Sequence, residues 1–168
     1  MADMHLWERR HDEALREVER AIALDPNNAG GHFMRGIILH YAGQFGEALE
    51  SLDRSFALNP FYPDVYLQFQ AQAYYQLGRY LEAAASSRRR ILRNPEIDSS
   101  RVLLAACYGQ MGLVEEAREA WRELLRVNPD YSLEQRRKVL PYKNPGDFDR
   151  VVEGLRKAGL PEGNKKTN

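Results

Sequence analysis

The side chains of this 168-residue chain that could hold a metal or begin a covalent reaction are few: four histidines, His5, His11, His32 and His40, and one cysteine, Cys107. A helical metal site needs donors on one face and a Cys, His or carboxylate set to complete the ligands. His32 and His40 share a helical segment but stand eight residues apart, about 12 Å along the axis, and one ion does not bridge that distance. No glycine-rich phosphate loop lies between a strand and a helix pattern, and no nucleophile elbow occurs. Cys107 sits in the apolar run VLLAACY and reads as a small core side chain. A single cysteine excludes an internal disulfide framework and fits a reducing compartment. The pattern predicts no catalytic centre, no metal and no cofactor.

Recognition is the remaining chemistry. The most basic short run, SSRRRILRNP from Ser86 to Pro95, lacks an aromatic platform for nucleic acid, and Lys plus Arg equal Asp plus Glu at 24 each. Arg88, Arg89 and Arg93 fall in the last turns of a helix, where cations suit the dipole. Arg90 falls at an inward position, which predicts that it snorkels or pairs with a carboxylate of an adjoining helix. The charge is mildly uneven: residues 132–168 carry nine basic and five acidic side chains, and residues 1–131 carry 15 and 19. No stretch approaches the ~20 apolar residues of a membrane span, and the N-terminal residues lack a signal-peptide layout. The reading is a soluble cytoplasmic protein with neither nucleic acid nor membrane as partner.

The elements that would position a recognition surface repeat. Pro26, Pro60, Pro95 and Pro129 are separated by 34, 35 and 34 residues, and Gly43, Gly78 and Gly112 by 35 and 34. Both series carry the same one-residue insertion, which Pro63 in the NPFYPD loop accounts for, so the period is real. After each glycine, apolar residues fall at three- and four-residue spacing, as in Leu49, Leu52 and Phe56 or Ala117, Trp121 and Leu124. Between each proline and the next glycine lies a second proline-free helical segment: 29–42, 64–77 and 98–111. Each unit is a helix, a glycine turn, a helix and a proline exit, and the class is all-α.

These residues resemble the tetratricopeptide repeat, whose first helix carries a large residue, Leu-Gly and Tyr, and whose second carries Ala, an aromatic, Ala and Pro. The copies supply Gly36, Leu39, Ala48, Leu52 and Pro60; then Ala71, Tyr74, Ala83 and Pro95; then Ala105, Tyr108, Ala117, Trp121 and Pro129. The resemblance implies a right-handed α-solenoid of stacked antiparallel helix pairs over residues 1–131: an abbreviated repeat 1–28 and full repeats 29–62, 63–97 and 98–131. It also implies a concave groove lined by first helices. Facing it would be Phe33, Ile37, His40 and Tyr41 in the first full copy, and Gln68, Gln72, Tyr75 and Gln76 in the second. The third copy would contribute Val102, Ala106, Gly109 and Gln110. Such a neutral aromatic and amide surface suits an extended or helical peptide, anchored by Phe33, Tyr41 and Tyr75. Members that grip chaperone C-termini do so with Lys, Asn and Arg; the matching positions here hold Phe33, Ile37, Phe69, Ser99 and Leu103, which argues against that ligand.

The two ends leave the period. The first helix of the abbreviated repeat has only ADMHLWER to draw on, so Leu6 and Trp7 are candidates for self-association into a homodimer. Downstream, Ser132 with Gln135 forms a capping box, and Asn144 with Pro145 opens a helix whose stripe of Phe148, Val151, Val152, Leu155 and Ala158 ends at Gly159. That helix is expected to cap the last repeat over residues 132–160, with a disordered tail at 161–168. The stretch LPYKNPGDFDRVVEGLRKAGLPE is similar to segments that follow these repeats in bacterial class III adenylate and guanylate cyclase-type signalling proteins. The function expected is a noncatalytic protein–protein interaction module, the regulatory or scaffold region of such a protein. The alternative is a structural or self-association element with no peptide ligand, favoured where Leu6 and Trp7 drive oligomers and the groove is filled by its own tail.

Overall fold

The computed structural model describes residues 2–161, and the expectation of a disordered tail falls, from residue 162 on, outside them. Within them the chain is wholly helical, with no strand: α1 (Ala2–Trp7), α2 (His11–Leu24), α3 (Ala29–Tyr41), α4 (Phe45–Leu58), α5 (Val65–Gln76), α6 (Tyr80–Arg93), α7 (Ser99–Gln110), α8 (Val114–Val127), α9 (Leu133–Val139) and α10 (Gly146–Lys157). Consecutive helices pack in sequence from α1 to α8, and the first helices α3, α5 and α7 also touch one another. That is the stacking of an α-solenoid, in which each pair buries its faces only against its neighbours.

The period exists because each turn has the same backbone requirement. Gly43, Gly78 and Gly112 have φ of 85°, 76° and 74°, the left-handed region that glycine enters without a Cβ penalty. After each, an amide bonds back five residues, Gln44 to the Leu39 carbonyl, Arg79 to Tyr74 and Leu113 to Tyr108, each at 2.9 Å. This closure caps the carbonyls that the helix end leaves open. Small residues mark where paired helices approach: a Cβ on Gly36 would lie 2.8 Å from Leu52 Cγ, and Ala71, Ala105, Ala48, Ala83 and Ala117 are completely buried.

Arg90 is buried and paired. Its Nε lies 2.9 Å from Asp64 Oδ2, and its NH1 donates to Gln68 Oε1 at 2.7 Å and Ser99 Oγ at 3.0 Å. This network joins α5, α6 and α7 where the second and third full copies meet.

The N-terminal end differs from expectation. Leu6 is 1% exposed and belongs to the protein's own core, because α1 folds onto α2 and α3. It is therefore not available for self-association, whereas Trp7 is exposed and its indole N–H donates to Asp3 at 3.0 Å. At the other end, the Ser132 hydroxyl accepts from the Gln135 amide at 3.3 Å and Asn144 Oδ1 accepts from the Gly146 amide at 3.0 Å. From there α10 packs on α7, the first helix of the last repeat. Residues 132–160, the tail, close the concave side: α10 also accepts bonds from Tyr75 and Gln76 of α5, and Lys143 before it donates to the Tyr41 carbonyl of α3.

Candidate binding groove

The first helices bring the predicted groove residues onto one surface, and the C-terminal segment covers it. His40, Tyr41, Tyr75, Ala106, Val102, Gln68, Gln76 and Ile37 are all buried, and Phe33, Gln72 and Gln110 are partly so. An open groove with Phe33, Tyr41 and Tyr75 as free anchors is thus corrected to a filled one. Phe33 is engaged within the array, stacked on Tyr66 with ring centroids 3.6 Å apart. Tyr41 meets Tyr142 of the tail edge-on at 4.9 Å. The positions that would have to form a chaperone clamp are apolar or occupied: Leu103 is buried, and Ser99 accepts from Arg90.

The groove holds its occupant by the main chain. Tyr75 Oη donates to the Arg150 carbonyl at 2.8 Å and Gln76 Nε2 to the Asp147 carbonyl at 2.7 Å. In return the Arg150 guanidinium donates to the Gln76 carbonyl at 2.8 Å, and the Lys143 amide to the Tyr41 carbonyl at 2.8 Å. Gln110 is held from both sides, its Nε2 donating to Tyr75 Oη at 3.2 Å and its Oε1 accepting from Lys157 at 2.7 Å. Between these bonds the helices meet backbone to backbone. A Cβ on Gly109 would lie 1.8 Å from the Gly154 carbonyl oxygen, and one on Gly154 would lie 2.6 Å from the Ala106 carbonyl oxygen. Phe148, Val151, Val152, Leu155 and Ala158 complete the contact, each buried, worth about 1.5–3 kcal/mol for each large side chain.

The connecting segment before α10 is gripped by the other end of the solenoid. His11 Nε2 donates to the Pro141 carbonyl at 2.6 Å, and Arg9, whose φ is 60°, reaches the carbonyls of Leu140 at 3.3 Å and Tyr142 at 3.4 Å. The Tyr142 hydroxyl meets His40 Nε2 at 3.2 Å. Sequence reading missed Gly154, Tyr142, His11 and Arg9. The one signal for Gly154 is a glycine inside an amphipathic helix, which costs about 1 kcal/mol against alanine and so implies a packing reason.

His40 is fully covered, and burial pushes its imidazole down to about 3, against about 6.5 for an unfolded histidine. Between those values the unfolded chain binds a proton that the folded chain refuses. Stability contributed by neutral His40 is therefore present above pH 6.5 and lost as pH falls, by at most about 1.4 kcal/mol per unit. Urea denaturation at pH 7 and pH 5 should show a smaller loss for His40→Gln than for the unaltered chain; equal losses would show that His40 does not carry this dependence.

Comparison with known proteins places these features in context. The family model described as tetratricopeptide repeat matches residues 18–50, and that of anaphase-promoting complex, cyclosome, subunit 3 matches residues 43–124. A putative adenylate cyclase 3 of Rhizobium meliloti (strain 1021) is 54% identical over 44 residues, which are 26% of this chain and only 8% of that protein. The crystal structure of MamA superposes with a TM-score of 0.71 at 22% identity, covering 94% of this chain and 92% of that one. YrrB, described as a TPR protein with an unusual peptide-binding site, gives 0.67 at 16% identity, covering 94% and 80%. At these identities the two structures speak for the fold.

Proposed function

Because the chain is a tetratricopeptide-repeat protein, we propose that it is a noncatalytic protein–protein interaction module whose concave groove receives an amphipathic helix. The observation that carries this reading is the set of bonds from Tyr75, Gln76 and Gln110 to main-chain carbonyls of α10. Bonds to carbonyls ask nothing of the guest's side chains, so its identity is read by packing. The guest is a helix with a glycine where it crosses Gly109 and large apolar residues six, three and two positions before it and one after, as in Phe148, Val151, Val152, Gly154 and Leu155. An acidic chaperone C-terminus lacks that pattern. In this chain the tail supplies the guest in cis, and a partner's helix competes with it.

The wider setting is a cytoplasmic bacterial signalling protein in which the module serves as the regulatory or scaffold region beside a nucleotide cyclase. The short stretch shared with the putative adenylate cyclase supports this, and among the described residues no helix is long and apolar enough to cross a membrane. Homodimerisation through α1 has only Met4 and Trp7 as exposed apolar side chains, far short of the ~800 Å² per partner of a stable interface. The competing reading, a structural element with no outside ligand, is favoured by the depth of the tail's burial, with Leu155 1% exposed.

Affinity capture from a lysate of the source cell separates the two. The Gly154→Leu chain alters the guest and leaves the groove native. It should recover proteins that the unaltered chain does not, and these should contain the helix pattern above. Identical recoveries would move any interaction to the outer face or the ends.

A further inference from the structure

The basic run from Ser86 to Pro95 holds no aromatic residue, and the fold brings one to it. Tyr62, in the loop between α4 and α5, meets the end of α6: Arg93 covers its ring at 4.7 Å and donates to its carbonyl at 3.3 Å, and Arg89 donates to its hydroxyl at 2.6 Å. Arg54 holds the position equivalent to Arg89 one repeat earlier and donates to Asn27 Oδ1 at 3.3 Å. Each of these three guanidiniums donates one bond, to a neutral acceptor, and no described carboxylate pairs with any of them. Asp64 of the same loop is taken by Arg90. Beside Tyr62 stands Phe61, 94% exposed, and beside Arg93 stands Leu92, 82% exposed. The Phe61 amide donates to Asn59 Oδ1 at 3.1 Å, and Pro60 and Pro63 bracket it, so the loop presents the ring on a backbone already fixed.

We propose that this edge of the solenoid docks an acidic peptide segment of a partner protein, one that carries a large apolar side chain between its carboxylates. A single exposed ring is ordinary on a protein surface; a ring on a rigid loop next to arginines without counter-charges is not. A guanidinium with open N–H groups matches a carboxylate in a planar, two-bond geometry. Phe61 and Leu92 supply the apolar contact, and aromatic and arginine side chains are those that anchor interfaces. Single-stranded nucleic acid fits less well, because it stacks successive bases on open rings. Tyr62 has Arg93 over its face and Phe56 edge-on at 4.4 Å, which leaves Phe61 alone. The edge is built by the second helices α4 and α6 and the loops at their ends, so it stands apart from the groove of the first helices and from the function proposed for it.

Random dodecapeptides displayed on phage are the probe, selected on the full chain and counter-selected on a Phe61→Ser chain, whose altered side chain lies outside the core. Sequences that depend on Phe61 should carry Asp or Glu on both sides of a Trp, Phe or Leu. The most frequent of them, synthesised and labelled, should bind the unaltered chain saturably in fluorescence anisotropy. It should bind Phe61→Ser, and separately the Arg89→Gln, Arg93→Gln double variant, at least about tenfold more weakly. Raising salt from about 0.05 to about 0.2 M should weaken binding to the unaltered chain at least about threefold. Recovery of no Phe61-dependent sequence, or of basic or wholly apolar ones, overturns the proposal. Tighter binding of oligothymidylate than of the peptide would overturn it by assigning the edge to nucleic acid. A dimer in sedimentation that Phe61→Ser dissociates would overturn it by assigning the edge to a second copy of this chain.

Discussion

Gly109→Ala is expected to release residues 140–160 from the solenoid and to cost at least about 3 kcal/mol of stability. A methyl at this position would lie 1.8 Å from the Gly154 carbonyl oxygen and 2.8 Å from its carbonyl carbon. Both are backbone atoms, so no rotamer relieves the clash and α10 must move away as a unit. With it go the burial of Leu155, Val152 and Val151 and the bonds from Tyr75 and Gln76. The substitution itself favours a helix by about 1 kcal/mol, so α7 should stay formed. Gly46→Ala is the matched control, because a Cβ there meets nothing within 4 Å; it should be neutral or mildly stabilising. Urea denaturation gives the stability change, and amide exchange locates it: protection should vanish in α10 and persist in α4 and α8. A Gly109→Ala chain as stable as the unaltered one, with α10 still protected, would contradict the packing described above.

Arg90→Met should cost about 3 kcal/mol, the lower end of what breaking a buried pair costs. The Arg90 side chain is 8% exposed, while that of Asp64 is 33% exposed and can recover water, which holds the loss at that end of the range. Gln68 would lose a donor, although Ser100 continues to donate to it at 2.9 Å. The apolar stem of methionine fills much of the space, so the loss reports the network rather than a cavity. In a double-mutant cycle with Asp64→Asn, the coupling should exceed about 1 kcal/mol. Coupling near zero would mean that Asp64 does not compensate the buried guanidinium.

The repeat was legible because it rests on backbone requirements that only certain residues meet. Glycine at positive φ after three helices, and alanine or glycine where paired helices touch, leave a periodic mark. The groove surface was legible too, since helical spacing assigns Gln68, Gln72, Tyr75 and Gln76 to one face of α5. That the tail covers that surface was one of two readings, and the sequence did not decide between them. The stripe of Phe148, Val151, Val152 and Leu155 declares that α10 must bury a face but carries no address, and α8 and the first helices both present apolar neighbours. The address lies in Gly109 and Gly154, two glycines far apart in sequence whose meeting allows backbone contact. Leu6 was misjudged for a related reason: a short helix looks incompletely covered until its packing on α2 and α3 is seen.

The central claim is that the groove is a helix receptor occupied by its own tail. The direct measurement is fluorescence anisotropy of a labelled peptide spanning residues 140–160, added to the unaltered chain and to Gly154→Leu, both first shown to be helical by circular dichroism. A tethered tail competes at an effective concentration on the order of millimolar. The peptide should therefore bind Gly154→Leu saturably, bind the unaltered chain at least about tenfold more weakly, and lose binding when it carries Gly154→Leu itself. A folded Gly154→Leu chain that does not bind the peptide, or equal binding by both chains, would contradict the account.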